Sequence, residues 1–202
     1  MNDDTRDTRQ KLLDAAMRAF AENGYRSCVG DIACRAGVAR QTLYHHFSGK
    51  DELFTEAIKQ MASEIGISLD GPVADLRAAL LRFARTFREK IQGEPGLSLH
   101  RVLVAEAPRV PQLAQAIFAA APGQTARLLT GLIGRAMDEG HLRHDDPAFA
   151  ADMLMSMLTG MERSRRLLAS TLPTDDAPER AERIVDCFLR AFAPACPDTP
   201  SS

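Results

Sequence analysis

The sequence predicts an all-α protein, and three observations support this prediction. Apolar residues recur at three- and four-residue spacing along most of the chain, and no segment shows sustained alternation of apolar and polar residues. Ala, Leu and Arg dominate the composition, whereas only 5% of the residues are aromatic and Trp is absent, a balance that favours helices over strands. The chain has 202 residues, 45% of them hydrophobic, which is enough for a core without disulfides or metals.

Helix stop signals divide this periodicity into consecutive elements. The first helix is predicted to end at Asn23-Gly24, a second to run over 29–36, a third from 39 or 40 to about 47, and a fourth to start at 50 or 51. Gly and Pro signals then separate the later helices, predicted at 76–91, 97–107, about 112–120, about 122–139, 147–169 and from 178 onward. On the helix at 76–91, Arg77, Arg82, Arg85 and Arg88 are expected to point outward.

Charge and targeting signals limit the possible classes of function. The net charge is −2, so contact with nucleic acid requires a local basic patch. The N-terminus is acidic and polar, and no run of residues is apolar enough for a membrane span, so we expect a cytoplasmic protein that does not bind membranes. We find no nucleophile paired with a base, no phosphate-binding Gly loop and no paired carboxylates, so neither an enzyme nor a cofactor is expected.

The cysteines form no pattern typical of a metal or redox site. Cys28, Cys34, Cys187 and Cys196 include no C-x-x-C pair. We expect reduced thiols, at least two of them buried, because free cysteine is often a core residue. Redox sensing is the alternative. The neighbours His45 and His46 do not predict a metal site either, because adjacent helical residues diverge by about 100°.

The segment 29–47 has the residue types of a helix-turn-helix. Gly37 stands where the first of two short helices must end in a left-handed conformation, and Ala33 stands four residues earlier, where the helices cross closely. Ile32, Val38 and Leu43 supply the apolar contacts at the crossing. A helical hairpin within a core is the alternative interpretation.

A longer pattern around this segment resembles the TetR family of bacterial transcriptional regulators. It reads Ala15-Ala16-x-x-x-Phe20-x-x-x-Gly24-Tyr25, Asp31-Ile32-Ala33-x-x-Ala36-Gly37-Val38, Thr42-Leu43-Tyr44-x-His46-Phe47 and Lys50-Asp51-Glu52-Leu53-Phe54. The resemblance implies roughly nine or ten helices. It further implies a helix-turn-helix DNA-binding domain over 1–50, a C-terminal ligand-binding and dimerisation domain over 51–193 and a flexible tail over 194–202.

The resemblance also implies which residues contact a double-stranded DNA operator. Arg40 and Gln41, at the start of the third helix, are expected to bind bases, since Arg pairs with guanine and Gln with adenine. Phosphate contacts are expected from Thr42, Tyr44, His45 and Lys50. Residues 26–50 include four basic residues and one acidic residue, which is the local excess that DNA binding needs.

Some residues depart from the family pattern. Ser27 and Cys28 stand where a Thr commonly caps the second helix, and Cys is a poor cap. Ala39 replaces the Ser that often caps the third helix. Gly30 stands where some members contact a base, which glycine cannot do with a side chain. We therefore expect a DNA-binding domain that is held loosely in the absence of DNA.

The C-terminal helices are predicted to bind a small effector and to form a homodimer. The apolar stripes of the middle helices supply either core or pocket residues, with Glu106 and His100 as polar partners of a small apolar or amphipathic ligand. The pocket candidates are Phe83, Phe87, Leu99, Val102, Leu103, Glu106, Phe118, Met155 and Met157. The resemblance also implies that the last two helices pair with those of a second copy in a four-helix bundle.

Two functions remain open from the sequence. The first is a ligand-responsive regulator, usually a repressor by resemblance, that binds a palindromic operator as a dimer. The alternative is a nucleoid- or division-associated DNA-binding protein whose C-terminal domain binds a protein partner. Pocket volume and the number of genomic binding sites distinguish them.

Overall fold

A computed structural model describes residues 2–69, 73–168 and 178–194, and these ranges contain helices and no strand. The all-α prediction is therefore confirmed. None of the described helices is both long and apolar enough to cross a membrane. The helices are α1 (Asn2–Asn23), α2 (Val29–Arg35), α3 (Arg40–His46), α4 (Lys50–Ile67), α5 (Leu76–Gln92), α6 (Glu94–Glu106), α7 (Pro111–Ala120), α8 (Pro122–Asp138), α9 (Pro147–Leu168) and α10 (Pro178–Ala191), with 3-10 turns at Gly24–Arg26 and Val73–Asp75.

The chain divides into two compact units. Unit 1 comprises residues 1–63 and 90–123, and unit 2 comprises residues 64–89 and 124–202. The functional division at residue 50 is a different kind of boundary and stays a prediction. The predicted tail over 194–202 lies outside the described residues, apart from its first residue.

Unit 1 is organised around α1, which buries one face along most of its length. Leu12, Ala16 and Phe20 are completely buried there, as the three- and four-residue spacing predicts. The ring of Phe20 meets that of Phe54 from α4 edge to face, with centroids 4.7 Å apart. Helices α6 and α7 add to the same core through Leu99 and Ile117, together with Ala121, the residue that follows α7. The helices of the predicted DNA-binding domain thus share one core with two helices from the middle of the chain.

Unit 2 contains most of α5 together with α9, α10 and nearly all of α8. Phe83 and Phe188 are completely buried in it. Two arginines of α5 form ion pairs with α10: Arg77 donates two hydrogen bonds to Asp186, at 2.8 and 3.1 Å, and Arg85 donates one to Glu182 at 2.6 Å. The bond from Arg77 lowers the pKa of Asp186. Because these pairs are exposed, they contribute little to stability.

The start of α6 differs from the prediction. The sequence Gly93-Glu94-Pro95-Gly96 was expected to separate two helices, yet α6 begins at Glu94 and includes Gly96. Gly93 is the N-cap, and Pro95 fits the first turn because its missing N–H would have no partner there. A Cβ atom on Gly96 would lie 2.1 Å from the carbonyl oxygen of Lys90. Gly96 therefore permits a close approach between helices and does not end one.

Helix α9 contains a kink that the sequence analysis did not predict. Gly160 has φ 44° and ψ −154°, outside the helical region. Near this interruption, the carbonyl oxygen of Leu158 accepts a hydrogen bond from Nη1 of Arg88 at 3.1 Å. Arg88 is accordingly half-buried, and the expectation that it points outward like Arg77 was wrong.

The expectation that at least two cysteines are buried was also wrong, since Cys28, Cys34 and Cys187 are all exposed. Cys28 precedes α2 as its N-cap, and Cys34 lies on the side of α2 opposite the buried Ile32. Cys196 lies outside the described residues.

The tight approach at Gly96 generates a stability prediction. We expect Gly96→Ala to destabilise the protein by about 1–3 kcal/mol, because the added methyl group collides with backbone that cannot rotate away. The matched control is Gly131→Ala in the interior of α8, where the nearest neighbouring atom is a flexible Arg135 nitrogen at 3.8 Å. This control should gain about 0.5–1 kcal/mol from better helix propensity. Urea unfolding measures the change in stability of both variants. An unfolding midpoint for Gly96→Ala equal to that of wild type would contradict the prediction.

Candidate nucleic-acid interface

The turn between α2 and α3 is closed by two backbone hydrogen bonds. The amide of Val38 donates to the carbonyl of Ala33, and the amide of Gly37 donates to that of Cys34, both at 3.0 Å. Gly37 has φ 71°, which glycine adopts without steric cost. This is a Schellman motif, and it satisfies carbonyls that the helix end would otherwise leave without partners. The prediction that Gly37 ends α2 in a left-handed conformation is confirmed.

Three apolar side chains fix where α2 and α3 cross. Ile32 and Leu43 are completely buried, and Ala33 is 1% exposed. Val38 packs against the same core and is partly buried. Burial of one face of α3 leaves its opposite face in solvent, since neighbouring helical positions are separated by about 100°.

The exposed face of α3 carries the predicted base-contacting residues. Arg40, Gln41, Tyr44 and His45 are exposed, and Thr42 is half-exposed. Nη2 of Arg40 donates to the hydroxyl oxygen of Tyr44 at 3.3 Å, and the guanidinium carbon lies 5.5 Å from the centre of the Tyr44 ring. The arginine is therefore held along the helix surface, next to the positions expected to contact DNA.

The start of α4 is stabilised by a carboxylate that reaches back across the first turn. Oε2 of Glu52 accepts hydrogen bonds from the amide of Ser48 at 2.7 Å and from its hydroxyl at 2.6 Å. These bonds lower the pKa of Glu52. The two hydrogen bonds define the turn of the chain next to Lys50, the first residue of α4. They were not predicted from the sequence. The sequence feature that could have predicted these bonds is a serine shortly before acidic residues at the start of a helix.

The N-caps of α2 and α3 are weak, as the sequence indicated. Neither Cys28 nor Ala39 makes a side-chain hydrogen bond to the helix that it precedes. Ser27 does not substitute for Cys28, because its buried hydroxyl contacts the carbonyl oxygens of Ala19 and Gly24, both at 2.8 Å. Ser27 stabilises the turn before α2 instead of the helix itself.

Tyr25 is a second residue of this region whose role sequence reasoning missed. Its hydroxyl donates a hydrogen bond to Oδ1 of Asp51, and its ring lies under the Nζ atom of Lys50, 4.5 Å from the ring centre. Burial, together with the bond to Asp51, raises the pKa of Tyr25. The hydroxyl is therefore protonated and able to donate throughout the neutral pH range. The sequence feature that could have drawn attention to Tyr25 is the aromatic residue directly after Gly24.

The predicted effector residues are distributed over both units. In unit 2, Phe83 and Phe87 are buried, and Met155 and Met157 are half-buried. The remaining candidates belong to unit 1, where Leu99 is part of the core, Val102 and Leu103 pack against it, Glu106 is half-exposed and Phe118 is 65% exposed.

Unit 2 has a groove formed by α9 and α10. It has a volume of about 570 Å³ and combines apolar side chains with arginines. Of the predicted effector residues, it includes Met157 alone. Its lining residues are Met157, Arg180, Arg183, Ile184, Asp186, Cys187 and Arg190.

A short bihelical turn with a buried crossing and an exposed basic end defines a helix-turn-helix DNA-binding protein. Comparison with known proteins identifies the family. Residues 12–57 match the family described as "Bacterial regulatory proteins, tetR family", and residues 78–194 match that described as "AefR-like transcriptional repressor, C-terminal domain". The chain belongs to the TetR family and is a helix-turn-helix transcriptional regulator.

The matches to individual relatives cover different lengths of the chain. The transcriptional regulator AcrR of Shigella flexneri is 42% identical over 64 residues, which are 31% of this chain and 30% of that protein. The uncharacterized regulator YvkB of Bacillus subtilis is 26% identical over 160 residues, 77% of this chain and 81% of that protein. The solved structure of the flavonoid-responsive regulator FrrA is 28% identical, with a TM-score of 0.69, and the match covers 94% of this chain and 98% of that one.

Proposed function

We propose that this protein represses transcription as a homodimer that binds a palindromic operator and releases it when a small effector binds. The observation that carries the proposal is the exposed Arg40–Gln41 end of α3, presented by a helix whose other face is anchored in the core through Leu43. Residues 1–50 are the DNA-binding domain in this proposal, and residues 51–193 bind the effector and the second copy. The protein acts in the cytoplasm, where the chromosome lies.

Within the operator, each exposed residue of the interface has a chemical role. The Arg40 guanidinium suits the two acceptors on the major-groove edge of guanine, and the Gln41 amide suits adenine. The remaining residues bind phosphates, which orient the protein without selecting sequence; they are Thr42, Tyr44, His45 and Lys50.

Replacing Arg40 tests this arrangement. We expect Arg40→Ala to weaken binding by about 1–3 kcal/mol for each half-site and to relax the preference at one base pair of each half-site, because each copy loses one bidentate contact. The DNA is the duplex that the wild-type protein selects from a random-sequence pool, and fluorescence anisotropy measures the dissociation constant. Arg101→Ala is the matched control, since Arg101 is also an exposed arginine and lies on α6, where it pairs with Glu94. Equal affinity of Arg40→Ala and wild type for that duplex would exclude Arg40 from base contact.

The groove on α9 and α10 supports a role of these helices in dimerisation. Its apolar residues, Met157 and Ile184, lie beside three arginines, of which Arg183 and Arg190 are exposed, so it can accept both apolar and acidic side chains of a second copy. Pairing of two helices from each copy gives a four-helix bundle. A two-fold axis through that bundle would present two α3 helices to successive major grooves, about 34 Å apart.

A charge in the groove tests this interface. We expect light scattering at micromolar concentration to give wild type twice the 22.1 kDa mass of the chain, and Ile184→Lys to give a single chain mass. The reason is that a buried ammonium group beside Arg180, Arg183 and Arg190 would face like charges and would oppose association. Arg135→Glu, a charge change at an exposed position of α8, should remain dimeric. A monomeric wild type, or a fully dimeric Ile184→Lys, would contradict the proposed interface.

The effector is proposed to be a small apolar or amphipathic molecule. FrrA is described as flavonoid-responsive, so a structurally similar protein responds to a small molecule. In this chain, Glu106 offers a half-exposed carboxylate that lies 3.7 Å from Nη1 of Arg109, and it can orient the polar part of a ligand. The effector would favour a state in which the two DNA-binding domains no longer fit one operator. The nucleoid-associated alternative has no observation in its favour, because the relatives are named as transcriptional regulators.

A thermal-shift screen tests the effector. We expect at least one compound of an amphipathic small-molecule library to raise the melting temperature, since saturation at 100 times Kd stabilises the folded state by about 2.7 kcal/mol. The same compound should weaken binding to the selected duplex in an anisotropy titration. Stabilising compounds that leave DNA affinity unchanged would contradict regulation by a small effector without affecting the DNA-binding proposal.

A further inference from the structure

The turn that carries Tyr25 is rigid for identifiable reasons. Gly24 has φ 68°, so the chain reverses at the end of α1 in a conformation that glycine adopts readily. The buried hydroxyl of Ser27 contacts the carbonyl oxygens of Ala19 and Gly24, which connects both sides of the turn. The direction in which Tyr25 leaves the backbone is therefore set before DNA binds.

The ring of Tyr25 is also held by its neighbours. It lies edge to face against Phe54, with centroids 5.3 Å apart, and 6.3 Å from Phe20, which is completely buried. Its hydroxyl is bonded to Asp51 at the start of α4. The ring thus has contacts with the core on one side and with α4 on the other, and it cannot rotate without breaking them.

Lys50 takes its position from this ring. Its Nζ atom lies 4.5 Å from the ring centre, within the range of a cation–π interaction. A lysine side chain loses much conformational freedom when it binds a phosphate, and an ammonium group that is already restricted loses less. The hydroxyl of Tyr25 also engages Asp51, the carboxylate next in sequence to Lys50, so that carboxylate competes less for the ammonium group.

From these contacts we infer that Tyr25 is a positioning residue for Lys50, holding its ammonium group where a phosphate of the operator backbone binds. The inference rests on the proposed DNA contact of Lys50. Tyr25 itself needs no contact with DNA in this arrangement.

The experiment measures dissociation constants over a range of salt concentrations, on the duplex selected by the wild-type protein from a random pool. We expect Lys50→Ala to weaken binding by about 3- to 10-fold for each half-site and to reduce the slope of log K against log salt by about 1.8, the value for two lost phosphate contacts, one from each copy of the dimer. Tyr25→Leu should reproduce most of both changes. In the Lys50→Ala background, Tyr25→Leu should cause no further change, because the residue through which it acts is gone.

A second series keeps the shape of the ring, so that folding is not in question. Tyr25→Phe retains the ring but lacks the hydroxyl, and trifluorophenylalanine at the same position also lacks the negative ring face that attracts a cation. We expect the phenylalanine variant to bind within about 3-fold of wild type and the fluorinated variant to approach Lys50→Ala in both affinity and salt slope.

Two results would overturn the inference. One is that the phenylalanine and trifluorophenylalanine variants have equal salt slopes. The other is that Tyr25→Leu reduces the affinity for DNA as much in the Lys50→Ala background as in wild type. Either would assign Tyr25 to the core alone. A wild-type protein that selects no duplex would instead contradict the proposed function, so the two failures are distinguishable.

Discussion

Burial of Ile32, Ala33 and Leu43 is the interaction on which the DNA-binding surface depends. Helices α2 and α3 have seven residues each, too few for an isolated helix to be stable in water. Neither has a side-chain cap, so their own ends add little stability. Packing on the core of unit 1 must therefore supply the stability of both helices. The exposed arginine and glutamine of α3 keep their positions only while the opposite face of that helix stays buried.

Most helix boundaries follow from local chemistry and were therefore predictable. Asp146 before Pro147 is an example: its carboxylate accepts a hydrogen bond from the amide of Ala148 at 2.8 Å, which caps α9 as the residue types indicate. Glycine is harder to interpret. Gly37 ends a helix, Gly96 permits a close approach within one, and Gly160 interrupts one. Only the first role was predicted, because the residue type is the same in all three cases and the approach of Gly96 to Lys90 is defined only once α5 and α6 have packed.

The site was predictable to the extent that it consists of one helix face. Burial of Leu43 determines which α3 residues face solvent, and a period of 3.6 residues gives that from the sequence. Tyr25 and Ser27 were missed because their partners, Asp51 and Ala19, are set by folding and not by spacing. The effector-binding residues were hard to predict for the same reason, since the sequence does not show which apolar residues folding buries. Leu99 and Phe118 both belong to apolar stripes, yet one is in the core of unit 1 and the other is exposed.

The shared core of unit 1 has a consequence for exchanging modules between regulators of this kind. Leu99, Ile117 and Ala121 pack against the helices that bind DNA, although they come from the middle of the chain. A chimaera joined at residue 50 would remove these side chains and expose apolar surface of the core that they share with the DNA-binding helices. A transplant that keeps this regulator's DNA specificity therefore has to carry residues 90–123 with the first 63, as a discontinuous graft.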